Sequence, residues 1–208
     1  TAVGVSALAT DTTAIRNTAI GYQALTANTT GAQNTAVGDI SMYTNTTGAD
    51  NTAIGGSALG ANTTGSNNVA VGRLSLDANT TADNNTAVGY DSLGANTTGH
   101  SNTAVGKRAL FTNATSNNNT AIGYLALEAN TTGGNTAVGG QALQANSTGE
   151  ANVAVGQAAL IANTTGSTNL ALGNNAATAN TTGTRNIAIG HAAYDASDTE
   201  NDNLAIGY

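Results

Sequence analysis

The stretch Asn34-Thr35-Ala36-Val37-Gly38 decides the fold of this chain, because it recurs along the whole sequence. The same five residues return at 85–89, 102–106 and 135–139, with near copies between them. The Asn that opens each copy stands at 17, 34, 51, 68, 85, 102, 119, 135, 152, 169, 186 and 203. The step between successive copies is constant, except that the copies at 119 and 135 stand one residue closer together. A fixed period of this kind is the signature of a repeat architecture.

The repeats fill the chain, and we expect a single array over residues 1–208. Its coils start near residues 1, 17, 34, 51, 68, 85, 102, 119, 135, 152, 169, 186 and 203. Residues 1–16 follow the repeat without its opening Asn, and residues 203–208 begin another copy. We therefore expect the array to be a portion of a longer chain.

The consensus is N-T-A-[VI]-G-x-x-[AS]-L-x-[AT]-N-T-T-G-x-x, and positions 2 to 4 predict a short strand. Position 2 is usually Thr but is also Val69, Leu170 or Ile187, and position 4 is always Val, Ile or Leu. Because side chains alternate along a strand, positions 2 and 4 are expected to share the buried face. The Ala at position 3 would then point outward and pack against another chain. In the alternative, a monomeric solenoid, this Ala only fills space.

Glycine at position 5 predicts a corner after each strand, because it tolerates backbone conformations and close approaches that a side chain forbids. A second apolar pair, such as Ala24-Leu25, predicts a second short strand before the polar turn at 28–31. Asn, Thr and Gly are poor helix formers, which excludes a helical repeat. We predict an all-β fold, a parallel β-roll or β-solenoid of about twelve coils of 17 residues. Such a rod is on the order of 55 to 60 Å long.

Several copies resemble a known family: residues 68–72 (NVAVG), residues 186–190 (NIAIG) and residues 17–25 (NTAIGYQAL). They are similar to the head repeats of trimeric autotransporter (YadA-like) adhesins and to related repeats in phage tail fibres. The resemblance covers the whole chain and implies a trimer of left-handed parallel β-rolls that binds host surfaces or extracellular matrix. The repeat of that family is shorter, and this chain adds the NTTG turn.

Two sets of Asn and one set of Gly are candidates for structural ladders along the rod. The ladder at positions 1 and 5 includes Asn17, Asn34, Asn51, Asn85, Gly21, Gly38, Gly55 and Gly89. The Asn-x-Thr turns start at Asn28, Asn45, Asn62, Asn79, Asn96, Asn113, Asn130, Asn146, Asn163 and Asn180. These turns are either acceptor sites for N-glycosylation or a stack of hydrogen-bonded amides, and we favour the stack.

Little in the composition indicates catalysis or metal binding. The chain has no Cys, which excludes thiol catalysis, thiolate metal sites and disulfides. His100 and His191 occupy variable positions and are expected to face solvent. Ser6, Ser41 and Ser92 have no His and acid placed consistently beside them, so a catalytic triad is not indicated. We expect no enzyme activity and no cofactor.

The charge pattern limits the partners. The formal net charge of −7 disfavours a nucleic acid, and no apolar run approaches the roughly 20 residues of a membrane span. Acids are dense only at 195–202, where the weak candidates for Ca²⁺ ligands are Asp195, Asp198, Glu200 and Asp202. The alternative for this segment is a solvated, diverged turn.

These features predict a structural or adhesive repeat protein that forms a rod, head or filament on a cell surface or virion, outside the cell. Its expected partners are further copies of itself, as a trimer or end to end, and a host surface or matrix ligand. Variable positions, such as Tyr22, Tyr90, Tyr124 and Lys107, would display contacts on the flank of the rod. The alternative is an ice-binding β-solenoid that uses the Thr ladder of the NTT turns.

Overall fold

The computed structural model describes residues 1–196 and 198–208, and within them the chain winds into one parallel β-solenoid. Each coil contributes one short strand, and the 13 strands of the described residues form a single sheet in sequence order. Equivalent positions pair, so that Ala19 lies opposite Ala36 and Ala36 opposite Ala53. The predicted all-β solenoid of about twelve coils is confirmed.

From β2 onward, the strands begin one residue after the Asn that opens each repeat. They are β1 (Ala2–Val3), β2 (Thr18–Ile20), β3 (Thr35–Val37), β4 (Thr52–Ile54), β5 (Val69–Val71), β6 (Thr86–Val88), β7 (Thr103–Val105), β8 (Thr120–Ile122), β9 (Thr136–Val138), β10 (Val153–Val155), β11 (Leu170–Leu172), β12 (Ile187–Ile189) and β13 (Leu204–Ile206). Because neighbouring strands lie about 4.8 Å apart, the sheet extends roughly 58 Å along the rod axis.

The strands face the opposite way from our expectation. The Ala at position 3 points inward, since Ala19, Ala36 and their counterparts through Ala188 have 0% exposed surface. Positions 2 and 4 do share a face, but it is the outer one, where Ile20 is 41% and Val69 36% exposed. Exchange of Thr for Val or Leu did not distinguish the faces, because these residues suit a pleated surface on either side. The predicted outward Ala face is therefore wrong.

The second apolar pair of each repeat is buried but is not a strand. Ala24, Leu25, Ala142 and Leu143 have no exposed surface. The two Leu residues have φ values of +53° and +52°, in the left-handed region rather than the β region. Hydrogen bonds still join the coils here, as from Leu25 N to Ser41 O at 2.9 Å. The predicted second strand is therefore a turn segment whose backbone bonds to the next coil.

The interior of the rod is a narrow column of small side chains. Most coils contribute the Ala at position 3, a small residue at position 8 and Leu at position 9. Met42, Ala177 and the partly buried Tyr194 replace Leu, and Ser41, Ser75 and Ser92 replace the small Ala. No aromatic side chain of the described residues belongs to the fully buried core. The space between the sheet and the opposite turn thus explains why position 3 is never larger than Ala.

We also find, within the described residues, no helix whose length and hydropathy would suit a bilayer-spanning segment.

Candidate functional site

The Asn that opens each repeat connects one coil to the next. Asn17, Asn34, Asn51 and Asn85 are 6% exposed or less. Asn34 donates from Nδ2 to Gly48 O at 2.8 Å, and its Oδ1 accepts the backbone N–H of Asn51 at 3.0 Å. A single amide therefore joins the strand, the closing turn of the same coil and the start of the next strand.

Each strand ends at a glycine corner. Gly21, Gly38, Gly55 and Gly89 have φ values between +133° and +139°, which L-residues rarely adopt. A Cβ on Gly21 would also lie 2.7 Å from the carbonyl carbon of Gly38. Glycine is needed here both for the backbone conformation and for the close stacking of coils.

The Asn of each Asn-x-Thr turn is buried and bonded along the rod. These residues are Asn28, Asn45, Asn62, Asn79, Asn96, Asn113, Asn130, Asn146, Asn163 and Asn180. In a typical rung, Asn62 Nδ2 donates to Asn45 Oδ1 at 2.8 Å and to Gly65 O at 2.9 Å. A glycan on this nitrogen would have to break one of these bonds and enter the interior. The geometry favours the amide ladder over glycosylation.

The ladder is interrupted at the short repeat, 119–134, which lacks one residue of the period. Asn130 Nδ2 donates to Thr132 O at 2.6 Å, and Asn113 Oδ1 is buried without a hydrogen-bond partner. The missing residue shortens the turn, and a polar groove of about 460 Å³ opens beside it, lined by residues that include Asn117, Asn118 and Glu150. A single deletion thus produces both the unpaired oxygen and the groove.

The two threonines of each NTT turn have different surroundings. The first is half-buried, and its hydroxyl donates to the next coil, as from Thr63 Oγ1 to Thr80 O at 3.0 Å. The second, such as Thr64 or Thr98, is exposed. The predicted Thr ladder therefore consists of an inner column committed to the backbone and an outer column that faces solvent.

The outer face of the sheet is an extended uncharged surface. Position 2 is Thr in β2, β3, β4, β6, β7, β8 and β9. From β10 to β13 it is Val153, Leu170, Ile187 and Leu204, so both outward positions are aliphatic there. No charged residue occupies positions 2 or 4 of the described strands. This surface was not predicted from the sequence. Its signal is the invariant Ala at position 3, which indicates that little room exists on that side of the strand.

Charged side chains cluster on the flank of the rod near Arg108. Its Nη1 lies 3.0 Å from Glu128 Oε1, and its guanidinium carbon lies 4.1 Å from the centroid of the Phe111 ring. On the same flank, burial raises the pKa of Asp77, and the negative charge of Asp91 raises it further, although backbone hydrogen bonds oppose the shift. The flank therefore combines one ion pair, Arg108 with Glu128, with one carboxyl group, that of Asp77, whose pKa is raised.

The residues considered for catalysis are not brought together. His100 Nδ1 accepts the N–H of Asp83 at 2.9 Å, and His191 stacks on Tyr208 with ring centroids 5.3 Å apart. Ser92 is buried and donates to a neighbouring carbonyl at 3.1 Å. Ser41 is buried as well, whereas Ser6 is exposed.

The acidic segment 195–202 does not gather into a metal site; Ser197 lies outside the described residues. Its four candidate ligands, Asp195, Asp198, Glu200 and Asp202, are exposed. Asp202 is paired with Arg185, whose Nη2 lies 2.7 Å from Asp202 Oδ2. In the part of the chain that the structure describes, no three His, Cys, Asp or Glu residues are placed to hold a metal ion. This geometry gives the calcium hypothesis no support.

No family model, curated protein or solved structure matches this chain. The surfaces on which a function can be argued are therefore the outer sheet face and the variable flank.

Proposed function

We propose that this chain is a structural rod with an adhesive role, part of a shaft or head that stands on a cell surface or virion. The different roles of the constant and variable positions within each repeat support the proposal. The constant positions stack the coils, through buried Asn amides, glycine corners and the Ala and Leu core. The variable positions face outward, where they change from copy to copy without altering the coil. Such a rod provides length and stiffness and displays contacts along its flank.

The observation that carries the proposal is the uncharged outer face of the sheet. It has two rows of side chains about 6.6 Å apart over a length of roughly 58 Å, so its footprint, with the width of the side chains included, is on the order of 600 Å². A typical protein interface buries about 800 Å² per partner, which is similar in size. The face carries an aliphatic side chain at position 4 of every described strand and at both outward positions from β10 to β13. Exposed apolar surface of a few hundred Å² marks interaction sites. We infer that further copies of this chain cover the face.

Self-association would also compensate for the thin interior. One Leu and two small residues per coil bury little apolar surface. The free energy gained from this burial therefore exceeds the entropic cost of ordering the chain by only a small margin. Covering Ile20, Ile54 and their neighbours would add apolar burial to every coil. Three copies are the number implied by the resemblance to trimeric head repeats.

The test is the mass of the native particle, measured by sedimentation and light scattering, with electron microscopy of the same sample. We expect a discrete mass near three chains. The double variant Ile54→Lys with Ile122→Lys places two charges on the sheet face, where these residues are 41% and 40% exposed. It should lower the mass and leave the circular dichroism spectrum unchanged.

The matched control is Gln157→Lys with Asn174→Lys, which adds the same charge at exposed flank positions. It should keep the parent mass. A parent chain that is monomeric at all concentrations would contradict the proposal. Long fibres that persist in the Ile54→Lys/Ile122→Lys variant would indicate that the chains associate through the ends of the rod and not through the sheet face.

Ice binding is the second candidate function, and the regular outer column of Thr supports it. The threonines to replace are Thr64, Thr98 and Thr165, because they are exposed. The first threonine of each pair already donates to the backbone, so its replacement would damage the fold. Thermal hysteresis lost on changing these three residues to Lys would favour ice binding. A parent without thermal hysteresis would exclude it.

A further inference from the structure

Four consecutive repeats place a cation and a tyrosine alternately at position 6. These residues are Arg73, Tyr90, Lys107 and Tyr124, and we call them the cation–tyrosine column. The backbone carbonyls of the first three accept N–H groups of the following coil at 3.0 to 3.1 Å, which stacks the four residues in register. All four side chains are exposed. The signal in the sequence is their common position in successive copies of the repeat.

The column alternates positive charge and aromatic ring along the rod axis. With a rise of about 4.8 Å per coil, the two cations and the two rings are each separated by roughly 9.6 Å. Lys107 Nζ lies 5.9 Å from the centroid of the Tyr90 ring, a cation–π contact. The ion pairs of the described residues involve Arg108 and Arg185. Arg73 and Lys107 thus have no carboxylate of the described residues within ion-pair distance.

The charge of the column contrasts with the rest of the molecule. The chain has 5 Lys and Arg residues against 12 acids. Two of those cations lie in the column, which contains no acid. The neighbouring carboxylates Asp77, Asp91 and Glu128 are half-buried, and Glu128 is paired with Arg108. Asp39 is exposed at position 6, two coils before Arg73. An exposed strip of positive charge and aromatic surface is therefore set into an acidic rod.

We propose that the cation–tyrosine column binds a linear acidic polysaccharide. Its carboxylate or sulfate groups would lie at Arg73 and Lys107, and its sugar rings would pack on Tyr90 and Tyr124. The C–H groups on one face of a pyranose are slightly positive and suit the negative face of an aromatic ring. The proposal rests on the proposed role of the variable positions as flank contacts, and it names the class of partner.

A single-stranded nucleic acid also combines rings with anions, but it fits less well. It carries a charge on every nucleotide, and the column offers two cations on a chain of net charge −7. Asp77 and Asp91 would lie near its remaining phosphates. A polysaccharide whose charges are more widely spaced avoids this repulsion.

The experiment is affinity electrophoresis of the native chain in gels that contain hyaluronate, which is charged on every second sugar, alginate, which is charged on every sugar, or neutral dextran. We expect hyaluronate to retard the chain more than alginate does, and dextran to have no effect. Tyr90→Ala with Tyr124→Ala should weaken binding about tenfold, from the loss of two ring contacts. Arg73→Gln with Lys107→Gln should abolish both the retardation and its dependence on salt.

The matched controls remove the same groups elsewhere on the surface. Tyr43→Ala with Tyr208→Ala removes two exposed tyrosines away from the column, and Arg16→Gln with Arg185→Gln removes two exposed cations. Both controls should bind as the parent does. Unchanged circular dichroism and particle mass establish that each variant is folded and associated, which separates this test from the test of the rod.

Three results would overturn the proposal. One is a parent chain that neither acidic polymer retards. Another is a tyrosine variant that binds like the parent, which would reduce the interaction to charge alone. The third is a competition experiment in which oligothymidylate binds more tightly than both polysaccharides, which would assign the column to nucleic acid.

Discussion

At the scale of the residue, glycine decides how closely two coils can approach. Gly89 has a φ of +133°, and a Cβ there would lie 2.7 Å from the carbonyl carbon of Gly106. Gly140, one residue after such a corner, has no positive φ, and a Cβ there would meet only Tyr124 O, at 4.0 Å. The two positions therefore differ in what glycine contributes.

We expect Gly89→Ala to lower the free energy of unfolding by at least about 2 kcal/mol, through backbone strain and the clash between coils. Gly140→Ala is its control and should change stability by less than about 1 kcal/mol, with a gain if the backbone accommodates the methyl group. Urea denaturation followed by circular dichroism measures both. Equal losses in the two variants would contradict the role assigned to the corner.

Asp77 should make stability depend on pH. Its pKa is raised in the folded chain by burial and by Asp91, so its ionised form destabilises the fold at neutral pH. Asp77→Asn should therefore raise the thermal midpoint at pH 7. The gain should shrink as the pH falls through the folded-state pKa and vanish where the carboxyl is protonated in both states, below the unfolded value of about 3.9.

Thermal melts between pH 3 and pH 8 check this prediction. Asp39→Asn removes an exposed carboxylate and controls for the change in net charge. A gain for Asp77→Asn that stays constant across this range would show that the carboxyl does not titrate with folding.

At the scale of the element, each strand is three residues long from β2 to β13, so its orientation rests on one inward side chain. Ala87 in β6 is fully buried, whereas Thr86 beside it is partly exposed. The chain itself places Val at the position of Thr86 in Val69 and Val153. The two neighbouring positions should therefore respond differently to the same new side chain.

We predict that Ala87→Val destabilises the chain by about 1 to 3 kcal/mol, because two added methyl groups overpack the interior. Thr86→Val, which changes the outer face, should stay within about 0.5 kcal/mol of the parent. Urea denaturation at low protein concentration measures both. The reverse order would restore our original assignment of the two faces.

The turn of the short repeat offers a second element to test. Inserting Ser between Gly133 and Gly134 restores the full period and should let Asn130 bond to the unpaired Asn113 Oδ1. We expect a gain of about 1 kcal/mol, the net value of one recovered hydrogen bond, and closure of the polar groove. Inserting Ser after Gly99, in a turn of full length, should instead destabilise the chain. Thermal melts compare the stabilities of the two insertion variants. An equal effect of both insertions would contradict the explanation that the missing residue interrupts the Asn ladder.

At the scale of the whole molecule, the solenoid is nearly one-dimensional, since each strand pairs only with its neighbours in sequence. Damage to one coil should therefore spread over the adjacent coils and fade beyond them. Leu93 is fully buried in the coil that starts at Asn85. It offers a central position from which to measure this spread.

Leu93→Ala should cost about 2 to 5 kcal/mol by leaving a cavity. Hydrogen exchange should accelerate over residues 68–118, which are the coil and its two neighbours, and remain unchanged over 1–33 and 152–196. Thr98→Ala, at an exposed position of the same coil, is the control and should leave exchange as it is. Uniform acceleration along the chain would indicate that the rod unfolds as one cooperative unit.

The sequence by itself determined the period, the parallel stacking, the glycine corners and the buried apolar pair. Each of these is a local requirement that thirteen near copies repeat, so the comparison of copies within one chain reveals it. Alternation also placed positions 2 and 4 on one face. The four residues of the cation–tyrosine column could be found in the same way, from their common position in consecutive copies.

Only the tertiary structure decided which face of the strand is inside, because Thr, Val and Ile suit a β position on either side. The width of the interior settled it, since a methyl group at Ala36 fits between sheet and turn and a larger side chain does not. The second apolar pair became a turn because Leu25 takes a left-handed backbone conformation that its hydrophobicity does not specify. Asn113 Oδ1 lacks a hydrogen-bond partner because of the way the turn of the next coil, which contains Asn130, closes. The residue missing from the sequence of that coil indicates a change of spacing but not this loss of a hydrogen bond.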